Sequence, residues 1–541
     1  MAIRNGQPVR FTAKGLCDAY DSTDAFAGAC QILQNLVFDQ GNPELMASRP
    51  GVGAPVTTFS TIFVNPTFVS VYIVIGHIAY GMVSTGSPAG MDQPFSYDLV
   101  ANVLSPISGA SPTNLPASPP TTGPWTPPTM AVISTKIIVT HPGFSGVGAN
   151  FFGVIDITNP AAPTWTSANT ATNPLTAVPT SVANYNNRAY FAVGNFLEFS
   201  DVLAPTTRTN ASQAITVGDT TPIIAQSGLP IQTTSAGVVG ALIVFKASQI
   251  WQVTGDPTTN NLALNYITLT TGTIAPRSVV QVTFGICFVG VDAPYVLNFL
   301  GVLSPLSHQP GNDGVADVQL PFQNATTPSR IAAAFSGNIY RVCVATTLFG
   351  VPQTNDYWYD IRRKRWTGPH TFPYDCAAQY ANQFVISGIA SGAALFISQG
   401  IPTTNSSYND NGVQLVSHMR SSSFPKTNHM AEVQVVESTL ELSSSGASVQ
   451  YQITGYDQRN VTVGNTQITT PATGFIWGSF VWGDGSVWST TQQIPVVYTI
   501  PWKAPLVFQK MSLDVQATSS NSLSIGTFFA RYQDTGYTNQ G

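Results

Sequence analysis

The residue types that most often do chemistry are sparse in this chain and poorly spaced for it. Six histidines (His77, His141, His308, His370, His418, His429) are scattered without any metal-ligand spacing. Five cysteines (Cys17, Cys30, Cys287, Cys343, Cys376) are odd in number, far apart and free of a C-x-x-C pair, so buried thiols are expected rather than a disulfide framework or a zinc knuckle. No Gly-x-Ser-x-Gly elbow occurs, and the glycine-rich stretch from Gly143 to Gly148 lacks the lysine and the following helix of a phosphate-binding loop. Glycoside hydrolysis needs two carboxylates in one cleft. A pair such as Asp292 with Asp317 could form one in space, although nothing in the sequence brings them together. The expectation is a non-enzymatic protein with no cofactor and no metal.

One basic run stands apart, Arg362-Arg363-Lys364-Arg365, which precedes Trp366 and follows Asp356-Tyr357-Trp358-Tyr359-Asp360. Among only 21 basic residues, four adjacent cations make a local field that could meet a DNA backbone or an acidic partner. As a turn between two strands, the same residues would be a solvated charge cluster. The stretch Trp482-Gly483-Asp484-Gly485-Ser486-Val487-Trp488 resembles the Asp-box turn of sialidase propellers, with its glycine one place too early and no second copy. A tight turn with packed indoles is the simpler reading.

Composition narrows the class further. Charged residues make up 9% of the chain, against about 25% in ordinary soluble domains, and Asp92, Asp98, Lys136 and Asp156 are the only ones between Gly51 and Asn187. Little repulsion then keeps copies apart, which suits packing against sister subunits. Apolar residues at 43% exclude disorder. A net charge of −5 provides no field for gripping nucleic acid, yet neutral or weakly acidic walls suit a channel through which a polyanion slides. Met1 to Arg10 lacks the apolar core of a secretion signal, so synthesis in the cytoplasm is expected. Phe68 to Val83 is too short and too β-branched for a membrane helix, and no membrane segment is expected.

The elements that must position these residues are nearly all strands. A helix is expected near the start, with N-cap oxygens from Ser22-Thr23-Asp24, Phe26, Cys30, Leu33 and Val37 at helical spacing, and Gly41 and Pro43 to stop it. Beyond Gly51, short runs rich in Val, Ile, Phe, Tyr and Thr recur every 40 to 65 residues or so, the interval of propeller blades. Arg188-Ala189-Tyr190-Phe191-Ala192-Val193 and Ile339-Tyr340-Arg341-Val342 are two of them. Eight prolines crowd Ser105 to Pro128, with Trp125 as the one large anchor, which reads as a surface loop or as an arm reaching a neighbouring subunit. From about His418 a new alternating series begins, consistent with a β-sandwich. The predicted class is therefore mainly β. Its parts are a helix-containing docking segment at residues 1–60, a β-propeller at 61–415 with its Pro-rich arm at about 104–129, and a sandwich-like domain at 416–541.

Several stretches carry a family likeness. Cys30 to Asp39, with Asn35 inside it, followed by Leu45 and the turn Arg49-Pro50-Gly51, resembles the start of short-tailed bacteriophage tail nozzle (tubular tail) proteins. The texts Val244 to Gly255, Gly272 to Val280 and Tyr359 to Trp366 are similar to the blade sequences of that family. The resemblance implies a structural virion protein made in the host bacterium. It would form a homo-oligomeric ring, hexameric in the family, that docks below the portal and adaptor, continues the channel for double-stranded DNA, and retains and then delivers the genome. Tail fibres or spikes would attach nearby, and Asn35, Arg49, Pro50 and Gly51 would belong to the docking segment. Two other classes fit the composition: a receptor- or glycan-binding, even glycan-cleaving, propeller, and a capsid or decoration protein.

Overall fold

The structure is a computed structural model that describes residues 7–19, 25–42, 44–56, 59–86, 89–120, 123–232, 238–257, 261–307, 316–348, 350–388, 394–401, 406–424, 431–445, 448–471, 496–503 and 506–538. Strands account for 56% of the chain and helices for 3%, so the mainly β class stands. Two compact units divide it. One takes residues 55–355 and 373–397, the other 1–54, 356–372 and 398–541.

The first unit is a β-propeller. Six separate antiparallel sheets cover residues 68–106, 129–168, 181–216, 225–268, 280–305 and 376–399, and the hairpin of Ala332–Ser336 with Ile339–Leu348 lies between the fifth and sixth. The leading strand of each packs against the leading strand of the next, and Cys376–Tyr380 returns to Phe68–Ile75 to close the ring. The core lies between sheets rather than within one. Tyr80 and Met82 of the first sheet meet Ile137, Ile155 and Trp165 of the second, and the same happens at each following junction. A middle strand such as Arg188–Val193 is therefore buried at every position, because a neighbouring sheet covers each face. Within the second sheet Gly153 leaves room for a neighbouring side chain: a Cβ there would lie 2.0 Å from the indole of Trp165 on the adjacent strand. At the closing junction, Phe68, Val69, Val71 and Phe95 pack against Cys376, Ala378, Val385 and Leu395. Val56, ahead of the first sheet, donates its N–H to Leu395 O at 2.8 Å, so a stretch from the start of the unit extends the last sheet and fastens the ring.

The second unit holds two antiparallel sheets with alternating buried positions, as a sandwich requires. In one, Leu523–Thr538 pairs with Ala431–Ser444 on one side and with Met46–Ser48 on the other, and Gln7–Phe11 also pairs with it. The other runs Arg365–His370, Ala29–Gln34, Val413–Ser421, Met511–Ser519, Val449–Asp457, Thr462–Thr470. The sandwich-like domain expected at 416–541 thus also takes in the first 54 residues and the hairpin from 356 to 372.

The helix expected near the start is replaced by strands. Ala29–Gln34 and Leu36–Phe38 are both extended, and the expected cap at Ser22-Thr23-Asp24 lies outside the described residues. Leu33 is wanted between Gly368 and Met419 on two flanking strands, and that pairing overrides a helical spacing of apolar residues. Asn35, at φ +54°, turns the chain between the two strands.

Candidate functional site at the closing seam of the propeller

Each leading strand of the propeller is preceded within four residues by a proline: Pro66, Pro128, Pro179, Pro222, Pro276, Pro328 and Pro373. A fixed φ and a missing N–H end the outer strand of one sheet and turn the chain inward to the next. Four of these lead-ins carry side chains that converge on the seam between the first and sixth sheets. Pro276–Ser278 is a single 3-10 turn held by Ser278 Oγ, which donates to Ala275 O at 2.6 Å and accepts from Val289 N at 2.9 Å. This turn aims Arg277 across the seam. Its guanidinium donates to Val71 O of the first sheet at 3.0 Å, to Asp375 O beside the sixth at 3.2 Å, and to Cys376 Sγ. The guanidinium carbon also lies 4.7 Å from the Tyr72 ring centre and 5.9 Å from that of Trp125.

Arg330, on the turn Pro328–Arg330, stacks on the same indole at 5.0 Å and pairs with Asp375 at 3.3 Å. Its Nε and Nη2 donate to Gly123 O at 2.9 Å and Pro120 O at 2.6 Å. Burial alone would lower the Arg277 pKa, but Cys376, Tyr72 and Asp375 outweigh it and hold the group above its ordinary value. Burial likewise pushes the Cys376 thiol up to about 11, against the pull of Arg277. A protonated thiol and two guanidiniums that bridge carbonyls and a carboxylate make a latch, not a nucleophile with its base.

The residues singled out by sequence fall in three places. Trp125 is 6% exposed, T-stacked on Phe68 at 5.3 Å and bonded through its backbone N–H to Ser329 Oγ at 3.2 Å. The Pro-rich stretch is therefore strapped by Arg330, and Trp125 packs on the propeller of its own chain. Asn35, Arg49, Pro50 and Gly51 do come together, but inside the second unit. Arg49 is fully buried and donates to Asn35 Oδ1 at 3.0 Å, to Pro50 O at 2.9 Å and to both oxygens of Asp410. Asn35 in turn bonds His370, Thr371 and Val416, and a Cβ on Gly51 would lie 2.2 Å from Asn409 O. These residues staple three separate stretches of chain and leave no face for a docking partner.

The basic run divides in two. It forms the turn between Val351–Asp360 and Arg365–His370, with Lys364 at φ +54°. Arg363 pairs with Asp360 at 3.1 Å, donates to Asp39 O at 2.7 Å and covers the Phe38 ring. Arg365 lies over Phe26. Arg362 and Lys364 are the exposed members, and Asp360 offsets the charge of Arg363.

Elsewhere the ionisable groups are tied into junctions. Ser84 donates to Asp92 at 2.6 Å, and Asp92 meets His141 Nε2 at 3.0 Å. His141 Nδ1 accepts from Gly143 N at 2.9 Å, which fixes the proton on Nε2. The carboxylate sits between hydroxyl and imidazole, the wrong order for activating the serine. Asp292 is exposed beside Tyr295 whereas Asp317 is buried, so the two carboxylates differ in surroundings. All five cysteines are buried and none is in a disulfide. Among the described residues no group of acidic, histidine and cysteine side chains could hold a metal, and no helix is long and apolar enough to cross a membrane. His308, His429 and the Trp482 to Trp488 stretch lie outside the described residues.

The ring of sheets, its inter-sheet cores and its seam define a β-propeller protein with a second all-β unit. No family model matches the chain, and no curated protein matches it. Among solved structures it is similar to the β-propeller domain of the Trilobed protease from Pyrococcus furiosus, at 9% identity over 62% of this chain and 96% of that one, with a TM-score of 0.33. It is also similar to a puromycin-hydrolyzing peptidase of Mycobacterium tuberculosis (10% identity, 69% and 60% covered, TM-score 0.37). A third is an exo-beta-1,3-galactanase from Phanerochaete chrysosporium (8% identity, 90% and 100% covered, TM-score 0.24). Likeness this distant has no bearing on substrate or reaction.

Proposed function

We propose that the chain is a structural subunit of a short-tailed phage tail, one of several identical copies in a nozzle ring that continues the DNA channel below the portal and adaptor. The observation that carries this reading is where the propeller unit puts its charge. It has seven basic residues, of which Arg188, Arg208, Lys246 and Arg341 are buried and Arg277 and Arg330 are engaged at the seam, leaving Lys136 facing solvent. Asp98, Asp156, Asp201, Asp219, Asp256 and Asp292 are all at least partly exposed. Such a surface offers phosphates one solvent-facing lysine to release counterions against, and on balance it repels them weakly. A conduit needs that property, whereas a protein that grips DNA needs its reverse. Exposed Val100, Val103, Val291, Leu300 and Val302 at strand ends and turns supply apolar contact area for sister copies.

Electron microscopy of the parent particle, with the chain labelled by antibody, tests the proposal. Density in a ring at the tail, together with no retardation of double-stranded DNA by purified protein at 50 mM salt, is the expected result. A protein that stays monomeric at tens of micromolar and is missing from the tail overturns it.

A further inference from the structure

The propeller seam encloses more positive than negative charge. Arg277 makes its hydrogen bonds to two carbonyls and a thiol, all neutral, while the single carboxylate there, Asp375, is paired with Arg330. Stacking on Tyr72 and Trp125 eases the guanidiniums but does not cancel their charge. A buried charge without a counter-ion is costly enough that native structures nearly always supply one.

A separate observation points to the same place. Trp125 Nε1 and the Tyr72 hydroxyl are both shut off from solvent and have no hydrogen-bond partner, Ser70 lying beside Tyr72 without making one. Both rings pack on Arg277. Buried donors are seldom left unsatisfied. Water could accept from them but would leave the charge unbalanced, and the burial of both atoms keeps out a phosphate or carboxylate carried on a macromolecule. Tyr72 also lines a cleft of about 350 Å³, together with Ile73, Gln379 and Tyr380.

We propose that the seam holds one small inorganic anion of chloride size, bound between the Arg277 and Arg330 guanidiniums and accepting from Trp125 Nε1 and the Tyr72 hydroxyl. The ion completes the junction of the first and sixth sheets and so couples ring closure to anion binding. This assignment is independent of the tail reading and stands or falls without it.

Crystals of the full chain soaked in sodium bromide are expected to show an anomalous peak beside the Arg277 guanidinium and Trp125 Nε1. In solution, sodium chloride is titrated against sodium isethionate at constant ionic strength. It should raise the wild-type melting temperature saturably, with apparent affinity at least tenfold weaker in Trp125→Phe/Tyr72→Phe, which keeps an aromatic ring at each position and removes both donors. A water or no density at that position overturns the proposal, as does an equal chloride response in the two proteins. Should the double variant fail to fold, the bromide map of the wild type decides alone.

Discussion

Replacing Arg49 by Met tests the staple at the start of the second unit. The side chain is wholly buried, and its removal takes the charged partner from Asp410 and a donor each from Pro50 O and Asn35 Oδ1. Breaking a buried pair by deleting one partner costs about 3–5 kcal/mol, mostly because the other charge is left without compensation. For a unit of roughly 200 residues, each kcal/mol shifts the melting temperature by about 2–4 °C, so a drop of about 6–20 °C is expected by calorimetry. The diagnostic arm is the double-mutant cycle with Asp410→Leu. Asp410 also accepts from Val52 N at 3.0 Å, so the single Asp410→Leu variant is itself destabilised. The two losses should nevertheless fall well short of adding, with a coupling of about 2 kcal/mol or more. A shift below about 2 °C for Arg49→Met, or losses that add to within about 0.5 kcal/mol, would refute the claim that the Arg-Pro-Gly turn is an internal fastening.

Three further outcomes follow from the same contacts. Arg362→Ala/Lys364→Ala should change stability by under about 0.5 kcal/mol in chemical denaturation, whereas Arg363→Ala should lose about 1–2 kcal/mol with its carboxylate and carbonyl partners. Equal effects would mean that the turn does not divide its cations as described. Hydrogen bonds from Lys246 and then Thr221 hold the Asp219 carboxyl down to about 2. Its folded pKa lies below the unfolded one, so its contribution is fully present above pH 4 or so and is lost as pH falls toward 2. Acid-unfolding profiles of wild type and Asp219→Asn should accordingly differ at neutral pH and converge at the acid end, and parallel profiles would contradict the assignment. Native protein at pH 8 should leave its five buried thiols unmodified by a disulfide reagent over an hour, with full reaction in denaturant. Rapid labelling of Cys376 in the native state would contradict a closed seam.

The propeller was legible where strands are read from both faces. Runs such as Arg188–Val193 and Ile339–Leu348, rich in apolar and aromatic residues, mark strands that neighbouring sheets cover on each side. The proline before each leading strand was equally visible, but it does not announce itself because loop lengths vary from blade to blade. The seam latch was half visible: Gly272 to Val280 stood out as blade text, yet its Arg277 gains meaning only from Val71 and Asp375, each about a hundred or more positions away. Sequence could not supply the partner of Arg49 either, since Asp410 lies 361 residues on. At the start of the chain, Phe26, Cys30, Leu33 and Val37 satisfy a helical period, yet Leu33 ends between Gly368 and Met419, Cys30 opposite Ser421 and Val37 opposite Ala47. Local periodicity is a weak preference beside a sheet that has room for one more strand.

The pairing of Gln7–Phe11 and Met46–Ser48 with Leu523–Thr538 bears on how the polypeptide is made. A ribosome delivers the amino-terminal strands hundreds of residues before their partner, so during synthesis their edges and apolar faces have nothing native to cover them. The propeller residues, contiguous apart from 373–397, emerge in between and can condense while translation continues. Translation arrested before residue 523 would therefore release a ring-forming core trailing unmatched strands, a species suited to capture by chaperones or by another unfinished copy.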